Sequence, residues 1–201
     1  MTTNIGILLS GRGSNFLALH GAMERREVPG HIAVVISNVA EAAGLEKARA
    51  LRLPTVCIPH ALEPSREVHE AKVLKALRHA GAEWVCLAGY MRLLSASFVA
   101  EYRHRILNIH PALLPSFPGV DGQAQAVDYG VRVSGCTVHL VDEGLDSGPI
   151  VVQRVVPVKD GDTAESLSAR ILAEEHKAYP EALNSLIAQR WNIVGRRVDF
   201  S

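Results

Sequence analysis

Short runs that are apolar at every position alternate with amphipathic segments along residues 1–110. The runs begin with "IGILL" and "IAVVI" and end with "ILNI", and a helix-like segment such as "NFLALHGAMERRE" or "SREVHEAKVLKALRHA" separates one run from the next. Strands that are apolar on both faces are typical of a parallel sheet covered by helices on each side. The pattern therefore predicts an α/β fold with a Rossmann-like, doubly wound, mostly parallel sheet.

The second half of the chain shows a different pattern. Two β-rich runs, "SGCTVHLV" and "PIVVQRVVPV", are joined by the turn-forming "DEGLDSG" and predict an antiparallel hairpin. A long amphipathic helix is predicted from about Thr163 to Ala188, followed by a short pair of strands in "RWNIVGRRVDFS". We expect one domain over 1–201, with a βα half at 1–110 and a C-terminal elaboration at 111–201.

Composition narrows the class of protein. Lysine plus arginine and aspartate plus glutamate each number 21, so no net field favours nucleic acid or a membrane surface. The N-terminus has neither the basic start nor the long apolar run of a signal peptide or a membrane span. Cys57, Cys86 and Cys136 form no C-x-x-C pair, which indicates buried thiols, no metal site and a cytoplasmic location.

The stretch "SGRGSN" joins the first predicted strand to the first predicted helix. Its glycines let the backbone approach a ligand, and the N–H groups that open the helix attract an anion such as phosphate. Gly13, Ser14 and Asn15 are the candidates. The motif is not a dinucleotide fingerprint, because Phe16 replaces the third glycine, and a tight turn without any ligand is the alternative.

A second candidate is "ILNIHPALLPSFPG", where a predicted strand ends in a proline-rich loop. Asn108 and His110 are two residues apart, so both side chains lie on one face of the strand. An amide and an imidazole can together stabilise an oxygen that becomes negative during a reaction. The alternative is a histidine that merely hydrogen-bonds to the backbone at the end of a strand.

A third candidate is the acidic loop "DEGLDSGPI", which contains Asp142, Glu143 and Asp146. A carboxylate close to His110 would raise the pKa of its imidazole and favour the charged form. Aspartate is also common in turns for local reasons. His139 is expected to be a packed core histidine, and "GYMRLLS" reads either as an apolar slot or as a helix entry.

Five segments resemble the phosphoribosylglycinamide formyltransferases, a branch of the formyltransferase family, in order and spacing over nearly the whole chain. They are "SGRGSN", "LAGYMRLLS", "NIHPALLPSFPG", "GCTVHLVDEGLDSGPIVVQ" and "EEHKAYP". The resemblance implies the formyltransferase fold and transfer of the formyl group of 10-formyltetrahydrofolate to the amino group of glycinamide ribonucleotide in purine (IMP) biosynthesis. It also implies small-molecule partners only, no metal, and a monomer or homodimer.

The resemblance assigns roles to individual residues. Asn108, His110 and Asp146 would be the catalytic trio. The residues that would bind glycinamide ribonucleotide are Gly13, Ser14, Asn15 and Glu175. The residues that would bind the folate are Arg66, Met91, Arg92, Leu94, Asn108, Asp142, Glu143, Gly144, Leu145 and Asp146.

The chain departs from the family pattern just after "FPG". Many relatives place a histidine there, whereas this chain has Val120, Asp121, Gly122 and Gln123. Three alternatives to the glycinamide ribonucleotide reaction remain open. They are a hydrolase of 10-formyltetrahydrofolate, another enzyme of the same fold such as an initiator-tRNA transferase, and a non-catalytic module that binds a phosphorylated metabolite.

Overall fold

A computed structural model describes residues 2–201, which divide into two compact units at Leu107 and Asn108. The N-terminal unit alternates strands and helices and has a 3₁₀ turn at His60–Leu62. Its elements are β1 (Thr3–Leu9), α1 (Ser14–Glu24), β2 (Gly30–Ser37), α2 (Ala43–Ala50), β3 (Thr55–Cys57), α3 (Arg66–His79), β4 (Trp84–Leu87) and α4 (Ala96–Glu101).

The strands of the N-terminal unit form a parallel sheet in the order β3-β2-β1-β4. Ile7, Leu8 and Leu9 are consecutive residues of β1, and all three are fully buried. Neighbouring side chains in a strand point to opposite faces, so both faces of the sheet are covered. The predicted doubly wound α/β architecture of this half is confirmed.

The C-terminal unit contains the antiparallel strands predicted from the sequence. Strand β5 (Ile106–His110) crosses the boundary between the units. The later elements are α5 (Gly122–Tyr129), β6 (Val133–Leu140), β7 (Ile150–Pro157), α6 (Ala164–Ala188), β8 (Trp191–Val194) and β9 (Arg197–Phe200). Strands β6 and β7 pair antiparallel, as do β8 and β9, and β9 runs parallel to β7.

Helix α6 packs against β6 and β7 and begins where the sequence predicts. The Thr163 hydroxyl accepts a hydrogen bond from the Ser166 N–H, and the Ser166 hydroxyl accepts one from the Thr163 N–H. This capping box satisfies N–H groups that an α-helix leaves without internal partners. The long helix and the terminal strand pair are therefore confirmed.

The remaining fold-level predictions have mixed outcomes. Cys86 and Cys136 are buried, as expected, whereas Cys57 is partly exposed. No helix within residues 2–201 is both long enough and apolar enough to span a membrane. The boundary between the two compact units, at Leu107 and Asn108, lies close in the sequence to the predicted division at residue 110, and a single domain over 1–201 stays a prediction.

Candidate active site

The turn "SGRGSN" requires a glycine at its centre. Gly13 has φ +72°, and a Cβ added there would lie 2.7 Å from the Gly44 Cα. The Gly44 N–H in turn donates to the Gly11 carbonyl at 2.9 Å. Helix α1 starts directly after Gly13, and this N-cap residue makes no side-chain hydrogen bond to the helix end. The turn therefore presents backbone N–H groups at a helix N-terminus, which is the arrangement that binds phosphate.

Lys47 adds a positive charge to this turn, although no local pattern in the sequence indicates it. Its ammonium group reaches from α2 and donates to the Arg12 carbonyl at 2.9 Å. The two residues are separated by 35 positions, so only the fold brings them together. An anion at Gly13, Ser14 and Asn15 would lie close to this charge.

The predicted folate-side residues of the N-terminal unit lie at the start of α3 and in the segment between β4 and α4. Arg66 is the first residue of α3, and its Nε is 3.1 Å from the Glu70 Oε1. Glu70 also accepts a hydrogen bond from the Ser95 N–H at 2.9 Å. Residues 88–95 form no helix. Met91 and Leu93 are exposed, and Arg92 and Leu94 are half-buried. Of the two interpretations of this segment, the structure favours an apolar surface over a helix entry.

In the C-terminal unit the structure brings Asn108, His110 and Asp146 together. The His110 Nδ1 lies 3.4 Å from the Asp146 Oδ2, and the opposite ring nitrogen, Nε2, donates to the Phe117 carbonyl at 2.8 Å. Asp146 also accepts a hydrogen bond from the Gly119 N–H at 2.8 Å. The acidic loop and the proline-rich loop thus meet at His110.

His139 is buried, as predicted, but it also belongs to this cluster. Its Nε2 lies 3.1 Å from the Asn108 Nδ2 and 3.6 Å from the Asp146 Oδ1. Its Nδ1 lies 3.1 Å from the Leu140 carbonyl. One N–H of the Asn108 amide faces the His139 Nε2, which leaves the other amide N–H for a ligand. The position of His139 within a predicted strand gave no sign of these contacts.

The net effect on His110 differs from the expectation that a nearby carboxylate keeps it charged. Burial lowers the pKa of His110 below its ordinary value, and this effect exceeds the opposite effects of the Phe117 carbonyl and Asp146. For Asp146, burial raises the pKa, but contact with His139 and the Gly119 N–H outweighs burial and lowers it overall. The free protein therefore holds an ionised Asp146 beside a His110 that resists protonation.

The acidic loop between β6 and β7 contains both local turn-formers and residues that reach the cluster. Asp142 accepts hydrogen bonds from the Gly144 N–H at 3.1 Å and from the Ser147 hydroxyl at 2.6 Å, which is a local turn role. Glu143, Gly144 and Leu145 are exposed. Of the three carboxylates, Asp146 is the one that contacts His110, and it does so from a left-handed backbone conformation with φ +49°.

Two side chains for which the sequence offered no signal hold the proline-rich loop, the buried Thr137 and the exposed Gln153. The Thr137 hydroxyl donates to the Ala112 carbonyl at 2.7 Å and accepts from the Leu114 N–H at 3.0 Å. The Gln153 amide donates to the Leu114 carbonyl at 2.9 Å. The loop that carries the Phe117 carbonyl is therefore fixed by β6 and β7 as well as by its prolines.

Glu175 is the one predicted substrate contact that lies on α6. It is buried, with 6% of its surface exposed. Its charge acts on Cys136 of β6, whose thiol pKa is raised to about 12, first by burial and then by Glu175. The structure thus places a carboxylate inside the C-terminal unit, where a charge needs a specific reason to be kept.

Comparisons with known proteins agree with this arrangement. Residues 3–183 match the formyl transferase family profile. The chain is 40% identical over 177 residues to phosphoribosylglycinamide formyltransferase of Escherichia coli strain K12, covering 88% of this chain and 84% of that protein. It is 48% identical to the trifunctional purine biosynthetic protein adenosine-3 of Drosophila pseudoobscura pseudoobscura over 89% of this chain, but it spans only 13% of that protein.

A solved structure shows the same fold over nearly the whole chain. It is glycinamide ribonucleotide transformylase 1 from Symbiobacterium toebii, with a TM-score of 0.96, 47% sequence identity, and coverage of 99% of this chain and 94% of that one. The predicted formyltransferase fold is thereby confirmed. Both the family profile and the relatives of similar length point to one assignment: the chain belongs to the formyl transferase family.

Proposed function

We propose that the protein transfers the formyl group of 10-formyltetrahydrofolate to the amino group of glycinamide ribonucleotide, a step of de novo purine biosynthesis. The observation that carries the proposal is the cluster of Asn108, His110 and Asp146, with His139 beside it, in a member of the formyl transferase family. The E. coli relative of similar length is a phosphoribosylglycinamide formyltransferase, which supports this acceptor.

The phosphate of glycinamide ribonucleotide is assigned to the turn before α1. The backbone of Gly13, Ser14 and Asn15 supplies N–H groups, and Lys47 supplies a nearby positive charge. Glu175 is assigned to the same substrate, where a carboxylate can hydrogen-bond to an amine or to ribose hydroxyls. Each assignment thus matches a chemical group of this substrate.

The folate is assigned to residues that combine exposed apolar surface with cations and polar groups. Met91 and Leu94 offer apolar contacts to a planar ring, and Arg66 and Arg92 offer positive charge to the carboxylates that folates carry. The acidic loop from Asp142 to Asp146 and the amide of Asn108 complete the set. No metal ion is part of the proposal.

The proposed chemistry is attack by the neutral amine of glycinamide ribonucleotide on the formyl carbon. The carbonyl oxygen becomes negative, and the remaining N–H of Asn108 can donate to it. The Nε2–H of His110 can donate as well, in exchange for the Phe117 carbonyl that it binds in the free protein. Donors of this kind contribute about 3–4 kcal/mol each to transition-state stabilisation in other enzymes.

Collapse of the tetrahedral intermediate requires one proton to leave the new ammonium group and one to reach the departing folate nitrogen. The proton that leaves the ammonium group can pass through Asp146 to the His110 Nδ1, which lies 3.4 Å from that carboxylate and carries no proton while Nε2 does. The imidazolium formed in this way can then give its Nε2 proton to the departing folate nitrogen, which leaves His110 neutral. The protein forms no covalent bond to the substrate in this sequence.

We assign the reaction to the cytoplasm, with small molecules as its substrates. The three cysteines carry free thiols, and such thiols persist in a reducing compartment. A monomer and a homodimer both remain compatible with the proposal.

One experiment separates the proposed transferase from its alternatives. The protein is mixed with 10-formyltetrahydrofolate, with and without glycinamide ribonucleotide, and release of tetrahydrofolate is followed. We expect release only when the amine is present. Release without the amine would indicate a hydrolase, and no release in either mixture would indicate a binding module, so either result would overturn the proposal.

A further inference from the structure

Ser10, the residue after β1, joins two segments with different proposed roles. Its hydroxyl donates to the Asn38 Oδ1 at 2.6 Å and accepts a hydrogen bond from the Met91 N–H at 2.8 Å. Ser10 stands three residues before Gly13, the first residue assigned to the phosphate. Met91 is the first residue of the segment assigned to the folate. The roles proposed for these two segments do not explain why the Ser10 hydroxyl makes hydrogen bonds to Asn38 and Met91.

The backbone around Ser10 shows why a side chain is needed at this point. The Ala88 N–H donates to the Leu8 carbonyl at 2.8 Å, and the Ser10 N–H donates to the Gly89 carbonyl at 3.0 Å, so the ladder between these segments continues past β1 and β4. Gly89 then adopts φ +77°, and the chain leaves the strand direction. The Ser10 hydroxyl takes the place of the next carbonyl as acceptor for the Met91 N–H.

The orientation of the hydroxyl is fixed by a second buried group. Asn38 is 3% exposed, and its Nδ2 lies 3.1 Å from the His60 Nδ1. The Asn38 carbonyl accepts a hydrogen bond from the His60 N–H at 3.2 Å. Because Asn38 holds the proton of the Ser10 hydroxyl, the oxygen lone pairs are directed towards Met91.

The far end of the same segment is also held by a buried acceptor. Glu70 accepts from the Ser95 N–H and from the Ser95 hydroxyl, and it also pairs with Arg66. Between these two anchors, Met91 and Leu93 expose 69% and 61% of their surface. A short irregular segment with exposed apolar side chains keeps one conformation only if its ends are fixed.

We propose that Ser10, oriented by Asn38, is a positioning residue that holds the Met91–Leu94 segment in the conformation that binds the folate. This inference rests on the proposed function for the identity of the ligand. Ser10 does not touch the ligand; it acts through the Met91 amide. Loss of its hydroxyl should therefore weaken folate binding more than it slows the chemical step, because His110 and Asp146 lie elsewhere in the chain.

The test compares Ser10→Ala with Ser10→Thr and Ser37→Ala in the full chain. Ser37→Ala is the matched control, because it removes a buried hydroxyl beside Asn38 whose bonds go to the Val39 backbone. We expect Ser10→Ala to raise KM for 10-formyltetrahydrofolate about tenfold, as loss of one buried hydrogen bond allows. The kcat and the KM for glycinamide ribonucleotide should stay within about twofold of wild type on the same ground, and Ser10→Thr should restore the folate KM.

Two further measurements keep the test decisive. Asn38→Val leaves Ser10 in place but removes the acceptor for its proton, and it should raise the folate KM about threefold by loosening that hydrogen bond; it replaces Ser10→Ala if the latter does not fold. Calorimetry with tetrahydrofolate as the only ligand should show that Ser10→Ala binds the folate more weakly than wild type by the same factor. An unchanged folate affinity in the folded variants, or equal losses for both substrates, would overturn the inference.

The binding measurement also separates this inference from the proposed function. A wild-type protein that binds tetrahydrofolate but transfers nothing to glycinamide ribonucleotide would contradict the proposed function, while the ratio of folate affinities would still decide the role of Ser10. A wild-type protein that binds no folate at all would overturn both.

Discussion

His110 is the residue on which the proposed chemistry depends, and both of its ring nitrogens face acceptors. One faces the Phe117 carbonyl and the other faces Asp146. A neutral imidazole has a single N–H and can satisfy only one of these acceptors, whereas the imidazolium satisfies both. Burial opposes the charged form. The balance between the two forms is thus set by burial, which favours the neutral ring, and by the two acceptors, which favour the imidazolium.

Asp146→Asn tests this balance directly. The variant keeps the shape of the side chain but loses the charge that stabilises the imidazolium, so kcat should fall by about two orders of magnitude or more while both KM values change little. Asp160→Asn, at an exposed ion pair with Arg132, is the control and should have near-normal turnover. Near-normal turnover of folded Asp146→Asn protein would contradict the role of Asp146.

The buried imidazole also predicts a pH dependence of stability. The pKa of His110 is lowered in the folded state by burial, whereas an unfolded histidine titrates near about 6.5. At pH values between the folded pKa and about 6.5, His110 binds more protons in the unfolded chain than in the folded one. The free energy of unfolding therefore falls as the pH drops from about 6.5 towards the folded pKa. The His110→Asn variant should lack this pH-dependent part of the free energy of unfolding.

The measurement is urea unfolding of wild type and His110→Asn at several pH values. The difference between the two proteins should change across this window and stay constant above it. His69 and His176 also have lowered pKa values from burial, but they are present in both proteins and cancel in the difference. A pH-independent difference would show that His110 titrates alike in the folded and unfolded chains.

At the scale of elements, the turn between β1 and α1 depends on Gly13. An added Cβ would place a side chain in a left-handed conformation and within 2.7 Å of the Gly44 backbone. Gly13→Ala should therefore destabilise the fold by about 1–3 kcal/mol and weaken glycinamide ribonucleotide binding about tenfold or more. Wild type should bind an amine substrate that lacks the phosphate about as weakly as Gly13→Ala binds glycinamide ribonucleotide.

Gly11→Ala is the matched control for this turn, since a Cβ at that position meets no atom within 4 Å. Its unfolding curve should resemble that of wild type. Equal affinity of wild type for substrates with and without the phosphate would rule out the phosphate role of the turn.

The proline-rich loop depends on Thr137, whose hydroxyl bonds two loop residues. Thr137→Val keeps the shape of the side chain but leaves the buried Leu114 N–H without that acceptor, so the free energy of unfolding should fall by about 1–3 kcal/mol. Urea unfolding measures the loss. The control is Thr55→Val, on a partly exposed strand, which should stay within about 0.5 kcal/mol of the wild-type free energy of unfolding. An equally small loss for Thr137→Val would contradict the role of the Thr137 hydroxyl in holding the loop.

Most elements were predictable from the sequence because their signals are local. The fully apolar runs identify β1 and β2, and the pattern from Thr163 identifies α6 with its cap. The contacts of His139, Thr137, Gln153 and Lys47 were not predictable, since each joins segments many residues apart. The sign of the His110 pKa shift was missed for a related reason: the carboxylate is visible in the sequence, but the degree of burial is not.

At the scale of the whole molecule, the equal numbers of acidic and basic residues conceal a local arrangement of charge. Lys47 stands at the phosphate turn and Arg66 at the start of α3, so each proposed anionic substrate group meets a cation. A local field of this kind is screened by salt even when the net charge is zero.

We therefore expect the KM values for both substrates to rise as sodium chloride increases from about 0.05 M to about 0.5 M, with kcat nearly constant. Steady-state kinetics at several salt concentrations measures this. Lys47→Met should reduce the salt dependence for glycinamide ribonucleotide and leave that for the folate unchanged. A KM that does not respond to salt would show that these cations do not attract the substrates.

The strand order of each unit has a short strand at one of its ends. Strand β3 has three residues and follows Pro54, and β8 has four. An exposed edge strand offers unpaired backbone groups to which another chain can add, and proline offers no N–H for such pairing. These edges give an incoming strand few hydrogen bonds, so the folded chain presents little template there for aggregation by strand addition.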